Sequence, residues 1–207
     1  MIRLVILGAG GHGVVVADAA VSMNRWSDIQ FLDDDPGLGP TVMGHPVVNT
    51  LGNWDISQNG DAEFIVAIGN NALRQEYLDD IERKNGVVAK VVHSSAVISP
   101  FADLSDGVAV CAGVVVNPRA SVGKGAILNT STTVDHDCVI GQAAHLSPGV
   151  HLSGNVQVGA RAWLGIGSCV HEGVKIGADS IVGAGAAVVS DVPANSTVVG
   201  VPARPLG

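Results

Sequence analysis

One aliphatic residue in every six is the feature that most restricts this chain. From Ile98 through Leu104, Val110 and Val116 to Ile176, Val182 and Val188, sixteen successive sixth positions are Val, Ile or Leu. Four residues after each stands a small or β-branched side chain, such as Ala102, Val108, Thr132, Cys138, Ser168 or Ala186. The residue directly after each aliphatic is most often Gly, Ser, Asn or Asp, types that suit turns. Short strands bent at a small residue every six make a triangular coil of three hexapeptides. Coils of about 18 residues then stack as a parallel β-helix. The large aliphatic fills the coil's interior, and the small residue lets the chain turn past it. No insertion interrupts the period between 98 and 188. Chemistry on this part must come from the outer wall, the corners or a neighbouring chain.

Composition agrees with such a core. Only 3% of residues are aromatic and 27 of 207 are Gly, so the interior is built from small aliphatics. A net charge of -8 disfavours nucleic acid or an anionic membrane as partner, since both need a basic footprint. Cys111, Cys138 and Cys169 are far apart and odd in number, without a CxxC pair. They read as buried or half-buried reduced thiols of a cytoplasmic protein. The N-terminus lacks the pattern of a signal peptide, and no apolar run is long enough for a transmembrane helix.

Residues 1–94 read as a small α/β unit with a parallel sheet, and 95–207 as the β-helix. Arg3 to Leu7 is an apolar strand, and Val14 to Ser22 a helix. Ile29 to Leu32 is a second strand ending in Asp33-Asp34-Asp35, followed by a Pro/Gly-rich connection from Pro36 to Pro46. Phe64 to Ile68 is a buried strand ending in Gly69-Asn70-Asn71, Ala72 to Lys84 a helix, and Val87 to Val92 a last strand. After Val188 the period is lost, which predicts an irregular cap. Gly8, Gly10 and Gly13 form GxGxxG between strand and helix, with Asp33 further on. Such a turn lets backbone N–H groups and a helix N-terminus approach a phosphate. A tight packing turn with no ligand is the alternative. The unit is too small for both halves of a dinucleotide site, so a mononucleotide or nucleotide-linked molecule fits better. Asn70, Asn71 and Arg74 follow a strand's C-terminal end, where ligands sit in open α/β sheets. Arg74 alone reads rather as a solvated helix charge.

Among seven histidines, His136 stands out. It lies between two carboxylates in Asp135-His136-Asp137-Cys138, just past an interior aliphatic, so it points off the wall near a corner. A neighbouring carboxylate fixes an imidazole's tautomer and raises its basicity, as a general base requires. A surface histidine in an acidic patch is the competing account. His145, half a coil on, stands on another edge of the triangle. His45 and His93 read as surface residues in connections, and His171 as a turn residue. His12 is either a ligand contact or a helix-start residue. Cys138 falls in the inward register and is not cast as a nucleophile. No spacing suits a metal.

The segments GAGGHG, FLDDD, AIGNN, NTSTTVDHDCVIG, HLSPGV, GNVQVG and VPANSTVVGVPARP resemble one group of left-handed β-helix acyltransferases. These are the bacterial nucleotide-sugar N-acetyltransferases of bacillosamine and perosamine biosynthesis, with related sialic acid O-acetyltransferases. The likeness runs nearly end to end. It implies a homotrimer with sites between adjacent prisms, using acetyl-CoA and a nucleotide sugar. It implies that His136 is the general base and that Asp137 raises its basicity. His145, Gly154, Ile166 and Gly183, Ala184 and Gly185 would contact acetyl-CoA. Ala184 stands where some relatives have Gly. Gly10, Gly11, His12, Asp33, Asp34 and Gly69 would hold the nucleotide sugar, with Asn70 and Arg74 beside them. The expected acceptor is the 4-amino group of a 4,6-dideoxy sugar, UDP-linked first and GDP-perosamine second. Sugar O-acetylation and a non-catalytic nucleotide-binding trimer are the alternatives.

Overall fold

The computed structural model describes residues 2–54, 56 and 61–206. The N-terminal unit comprises β1 (Arg3–Leu7), α1 (Gly11–Ser22), β2 (Asp28–Leu32), β3 (Thr41–Val42), β4 (His45–Asn49), β5 (Glu63–Val66), α2 (Asn71–Arg83) and β6 (Val87–Val88). Its sheet runs β3-β4-β2-β1-β5-β6, parallel except for the β3–β4 hairpin. Strand β1 is central, so Leu4 to Leu7 are fully buried. A continuous apolar run is what a strand covered on both faces needs. The Pro/Gly-rich connection holds the hairpin, whose turn residues Met43 and Gly44 both have positive φ. His45 therefore lies in a strand, with its ring 6.5 Å from that of Phe31, and not in a connection.

From Val91 the chain winds into a prism with three sheets, parallel except where Arg204–Pro205 pairs with Thr197–Val199 at the end of one of them. Face 1 carries rungs such as Ala109–Val110, Ile127–Leu128, His145–Leu146 and Trp163–Leu164. Face 2 carries Val115–Val116, Thr133–Val134 and His151–Leu152, and face 3 Ser121–Val122, Val139–Ile140 and Gln157–Val158. Both sequence registers meet in one buried apolar cluster from Val108 to Ala203. Up to Val188 every rung pairs with the residue 18 positions on, so like side chains stack. Cys138 is fully buried, as its register predicts, and Cys111 is buried as well. Cys169 is exposed, a departure from the expected burial, because it takes the outward position of its rung beside inward Val170.

Each corner is turned by one left-handed residue, and these recur every six positions from Gly107 to Gly185. Corner 1–2, between faces 1 and 2, uses Gly113, Ser131, Gly149, Gly167 and Gly185. Corner 2–3 uses Arg119, Asp137, Asn155 and Gly173, and corner 3–1 uses Gly107, Gly125, Ala143, Arg161 and Asp179. A side chain in this conformation costs about 1–2 kcal/mol relative to Gly. The non-glycine corners therefore need compensating contacts.

Two further sequence expectations change. Val91–Val92, read as the end of the last sheet strand, is the first rung of face 1. The tail is more regular than a cap: Val192 bridges to Ile176, and Thr197–Val199 joins face 1 beside Ile181–Val182. That coil takes 16 residues where the others take 18, which is why the sixfold period vanishes.

The two units share a core. Ala17 and Ala20 of α1 belong to the same apolar cluster as Ala109 and Ile127 of face 1. On the other side of the sheet, Leu78 of α2 reaches Gly125, where a Cβ would collide with its Cδ1.

Candidate active site

His136 sits at corner 2–3 with its side chain about half exposed (49%). Its backbone N–H donates to Asp135 Oδ1, which also accepts from Asn117 Nδ2. Its Nδ1 lies 2.7 Å from Asp137 Oδ2. Arg119, one coil earlier, grips the same carboxylate with two parallel hydrogen bonds, Nε to Oδ1 at 2.6 Å and Nη2 to Oδ2 at 2.7 Å. These bonds hold the Asp137 carboxyl far below the usual carboxylate range. An ionised carboxylate only accepts, so in the neutral ring Nδ1 carries the proton and Nε2 keeps its lone pair. The hydrogen bond to Asp137 raises the His136 pKa against partial desolvation of the ring; the Asp135 and Asp137 charges raise it further, and the Arg119 charge opposes them least of all. The ring packs against Gly154: a Cβ there would stand 2.6 Å from Nε2.

Corner 1–2 is bare. Nothing lies within 4 Å of where a Cβ would stand on Gly167 or Gly185. Beside them a cavity of about 400 Å³ is lined by Pro148, Trp163, Ile166, Val182, Gly183 and Ala184. Ile166, Gly183 and Ala184 thus share one apolar groove, Gly185 borders it, and Gly154 lies on another corner, under the imidazole.

In the N-terminal unit the glycines divide into two kinds. Gly8 has φ +104°, and a Cβ on it would meet Ala67 O at 2.8 Å, while Gly13 packs directly on Gly8 O. Those two are needed for the turn itself. Gly10, Gly11 and Gly69 face open space. The N-terminus of α1 has no side-chain cap and no acidic residue in its first turn. Its N–H groups and dipole favour an anion there. The N-terminus of α2 is closed instead, because Asn70 Oδ1 accepts from Leu73 N.

The aspartates after β2 serve the backbone first. Asp33 accepts from Ala9 N through Oδ2 and from Asp35 N through Oδ1, bracing the glycine turn. Asp34 Oδ1 accepts from Leu51 N.

Arg74 is not the solvated charge its sequence context suggests. It is fully buried. Its Nε donates to Gly125 O, Nη1 to Ile68 O, and Nη2 to Asn71 Oδ1 and Ala143 O. The guanidinium bolts α2 to corner 3–1, and burial lowers its pKa to about 10. This cation faces His12 and His145, whose ring centroids are 6.2 Å apart. The His145 ring also stacks on Trp163 at 6.1 Å. Burial first, then the Arg74 charge, lowers His12 to about 4 and His145 to about 3. Both Nε2 atoms are buried without a hydrogen-bond partner. Both rings are neutral in the fold. Their contribution to stability is present above the unfolded pKa of about 6.5 and is lost as pH falls toward those values.

Sequence reasoning missed three parts of this arrangement: Arg119, the Trp163 stack and the all-glycine stretch of corner 1–2. Arg119 was discoverable, since it precedes Asp137 by one coil.

Comparison with known proteins matches these features. The family model for the PglD N-terminal domain matches residues 3–81. The acetyltransferase domain of PglB from Neisseria gonorrhoeae FA1090, solved with acetyl coenzyme A, is 37% identical with a TM-score of 0.93, covering 99% of this chain and 98% of that one. PerB from Caulobacter crescentus, solved with CoA and GDP-perosamine, is 41% identical with a TM-score of 0.93, covering 99% and 97%. WeeI from Acinetobacter baumannii AYE is 28% identical with a TM-score of 0.89 over the full length of both chains. A β-helix with an α/β unit docked on one face is the acyltransferase architecture that these relatives share. The chain belongs to the hexapeptide-repeat sugar N-acetyltransferases, and it is an acetyltransferase. Among the described residues no helix is long and apolar enough to cross a membrane, and no group of three or more His, Cys, Asp or Glu could hold a metal.

Proposed function

We propose that the protein transfers an acetyl group from acetyl-CoA to the 4-amino group of a nucleotide-linked 4-amino-4,6-dideoxy sugar, with His136 as general base. The observation that carries this reading is the His136 imidazole, half exposed, tied at Nδ1 to an ionised carboxylate and with no hydrogen bond at Nε2 among the described residues. Nε2 takes a proton from the amine as its nitrogen attacks the thioester carbonyl. The C–N bond forms, the C–S bond breaks, and the proton held on His136 passes to the departing sulfur. Asp137 stabilises the imidazolium formed in between.

The thioester is the chemistry that acetyl-CoA supplies when bound. The apolar groove beside corner 1–2 suits its pantetheine arm, and the bare glycines leave backbone accessible to the acyl oxygen. The nucleotide diphosphate fits the open N-terminus of α1, with Gly10, Gly11 and Gly69 clear and the buried Arg74 cation behind His12. This groove and His136 stand on different corners of one triangle. A second copy of the chain must therefore bring an imidazole to the groove, which supports the homotrimer that the family resemblance implies.

Released CoA should appear when acetyl-CoA is offered with GDP-perosamine or with the UDP-linked 4-amino sugar. Thermal shift with GDP and with UDP identifies the base by the larger stabilisation. A free sugar hydroxyl that outcompetes both amines overturns N-acetylation.

A further inference from the structure

We propose that Arg119 is a positioning residue of the reaction, acting through Asp137 to set both the placement and the basicity of His136. This rests on the reading of His136 as the base. Arg119 has φ +62° and Asp137 φ +61°, an unfavourable conformation at two stacked corner positions. Their bidentate pair compensates for it. The carboxylate is then fixed at both oxygens, and Oδ2 also faces His136 Nδ1. Gly154 packs against the ring on another side.

The same geometry limits how basic the ring becomes. Alone, Asp135 and Asp137 would hold the imidazolium more firmly, and a base already protonated cannot accept the amine's proton. The Arg119 guanidinium works against them. The next coils bring Ser153–Asn155 and then His171–Gly173 to this corner. Their titratable members are His171, with Nδ1 3.1 Å from the Glu172 carbonyl, and Glu172 itself. Arg119 is thus the cation that contacts the Asp137 carboxylate, and its removal frees Asp137 to act on the ring undiminished.

The test is the titration of the His136 imidazole by NMR on the full-length protein with labelled histidine, the resonance assigned with His136→Gln. Arg119→Gln should move the midpoint to higher pH, Asp137→Asn should move it to lower pH, and Arg119→Lys should hold it near wild type. Arg161→Gln, which breaks the equivalent pair on corner 3–1, should leave it in place. In CoA release from acetyl-CoA and GDP-perosamine, the acid limb of kcat/KM for Arg119→Gln should follow the NMR midpoint upward, and kcat at neutral pH should fall about tenfold. Arg119→Lys should recover the limb but not all of kcat, since an ammonium lacks the fork. Coincident titration of Arg119→Gln and wild type, or a downward shift, overturns the proposal. Full activity in His136→Ala overturns the base assignment instead, and the NMR titration separates the two failures because it needs no turnover.

Discussion

Two corners of the prism carry the same pair. On corner 2–3 Arg119 grips Asp137, and on corner 3–1 Arg161 grips Asp179, each through Nε to Oδ1 and Nη2 to Oδ2 at 2.6–2.7 Å. In both, the partners are left-handed residues one coil apart. What differs is the next contact. Arg161 adds Gln75 of α2 at 2.9 Å, so its pair helps seat the N-terminal unit. Asp137 adds the Nδ1 of His136, so its pair holds a half-exposed imidazole. The residue before Asp179 is Ala178, and the residue before Asp137 is His136. The fold supplies the Arg–Asp staple for its own corners, and on corner 2–3 the staple also holds a neighbouring imidazole.

The largest break in that comparison comes from the imidazole itself. His136→Ala should lower kcat by about a thousandfold with little change in acetyl-CoA binding, read by steady-state kinetics and calorimetry. Equal loss of binding and turnover would make the ring a binding group. Next come the two aspartates. Asp137→Asn should cut kcat by about a hundredfold and move the acid limb of the pH profile downward, because the group that raises the His136 pKa is gone. Asp179→Asn should leave that limb where it is. If both aspartates shift it alike, the corners are not distinct.

Gly154→Ala sharpens the picture. The new Cβ falls against the imidazole, an exposed side chain that can rotate away. Turnover should fall about tenfold while the melting temperature barely moves. The smallest effect is Arg161→Gln, a partly exposed pair whose loss should cost about 1 kcal/mol or less by denaturant unfolding.

Much of the molecule was legible because a coil must fill the same interior at every turn. Ile98 to Val188 announce that requirement, and residues just past each aliphatic must point outward or turn. His136, Asp137 and inward Cys138 follow from register alone. Arg74 was not legible. It resembles any helical arginine until Gly125 and Ala143, 51 and 69 residues away, bring their carbonyls to it. Asn70 sits where ligands gather, yet its side chain caps α2, a choice between two plausible partners that only geometry makes. Asp33 likewise braces the turn it was expected to serve as a ligand contact.

The amino-acid order by itself determined the prism, the α/β unit before it and the outward corner bearing Asp135-His136-Asp137, since each follows from a local period or a strand–turn–helix pattern. Tertiary structure decided that Gly154 packs against the imidazole, that Arg74 bolts the units together, and that groove and imidazole occupy different corners. Those are contacts between coils and between units, where the partner is chosen by packing and not by distance along the chain.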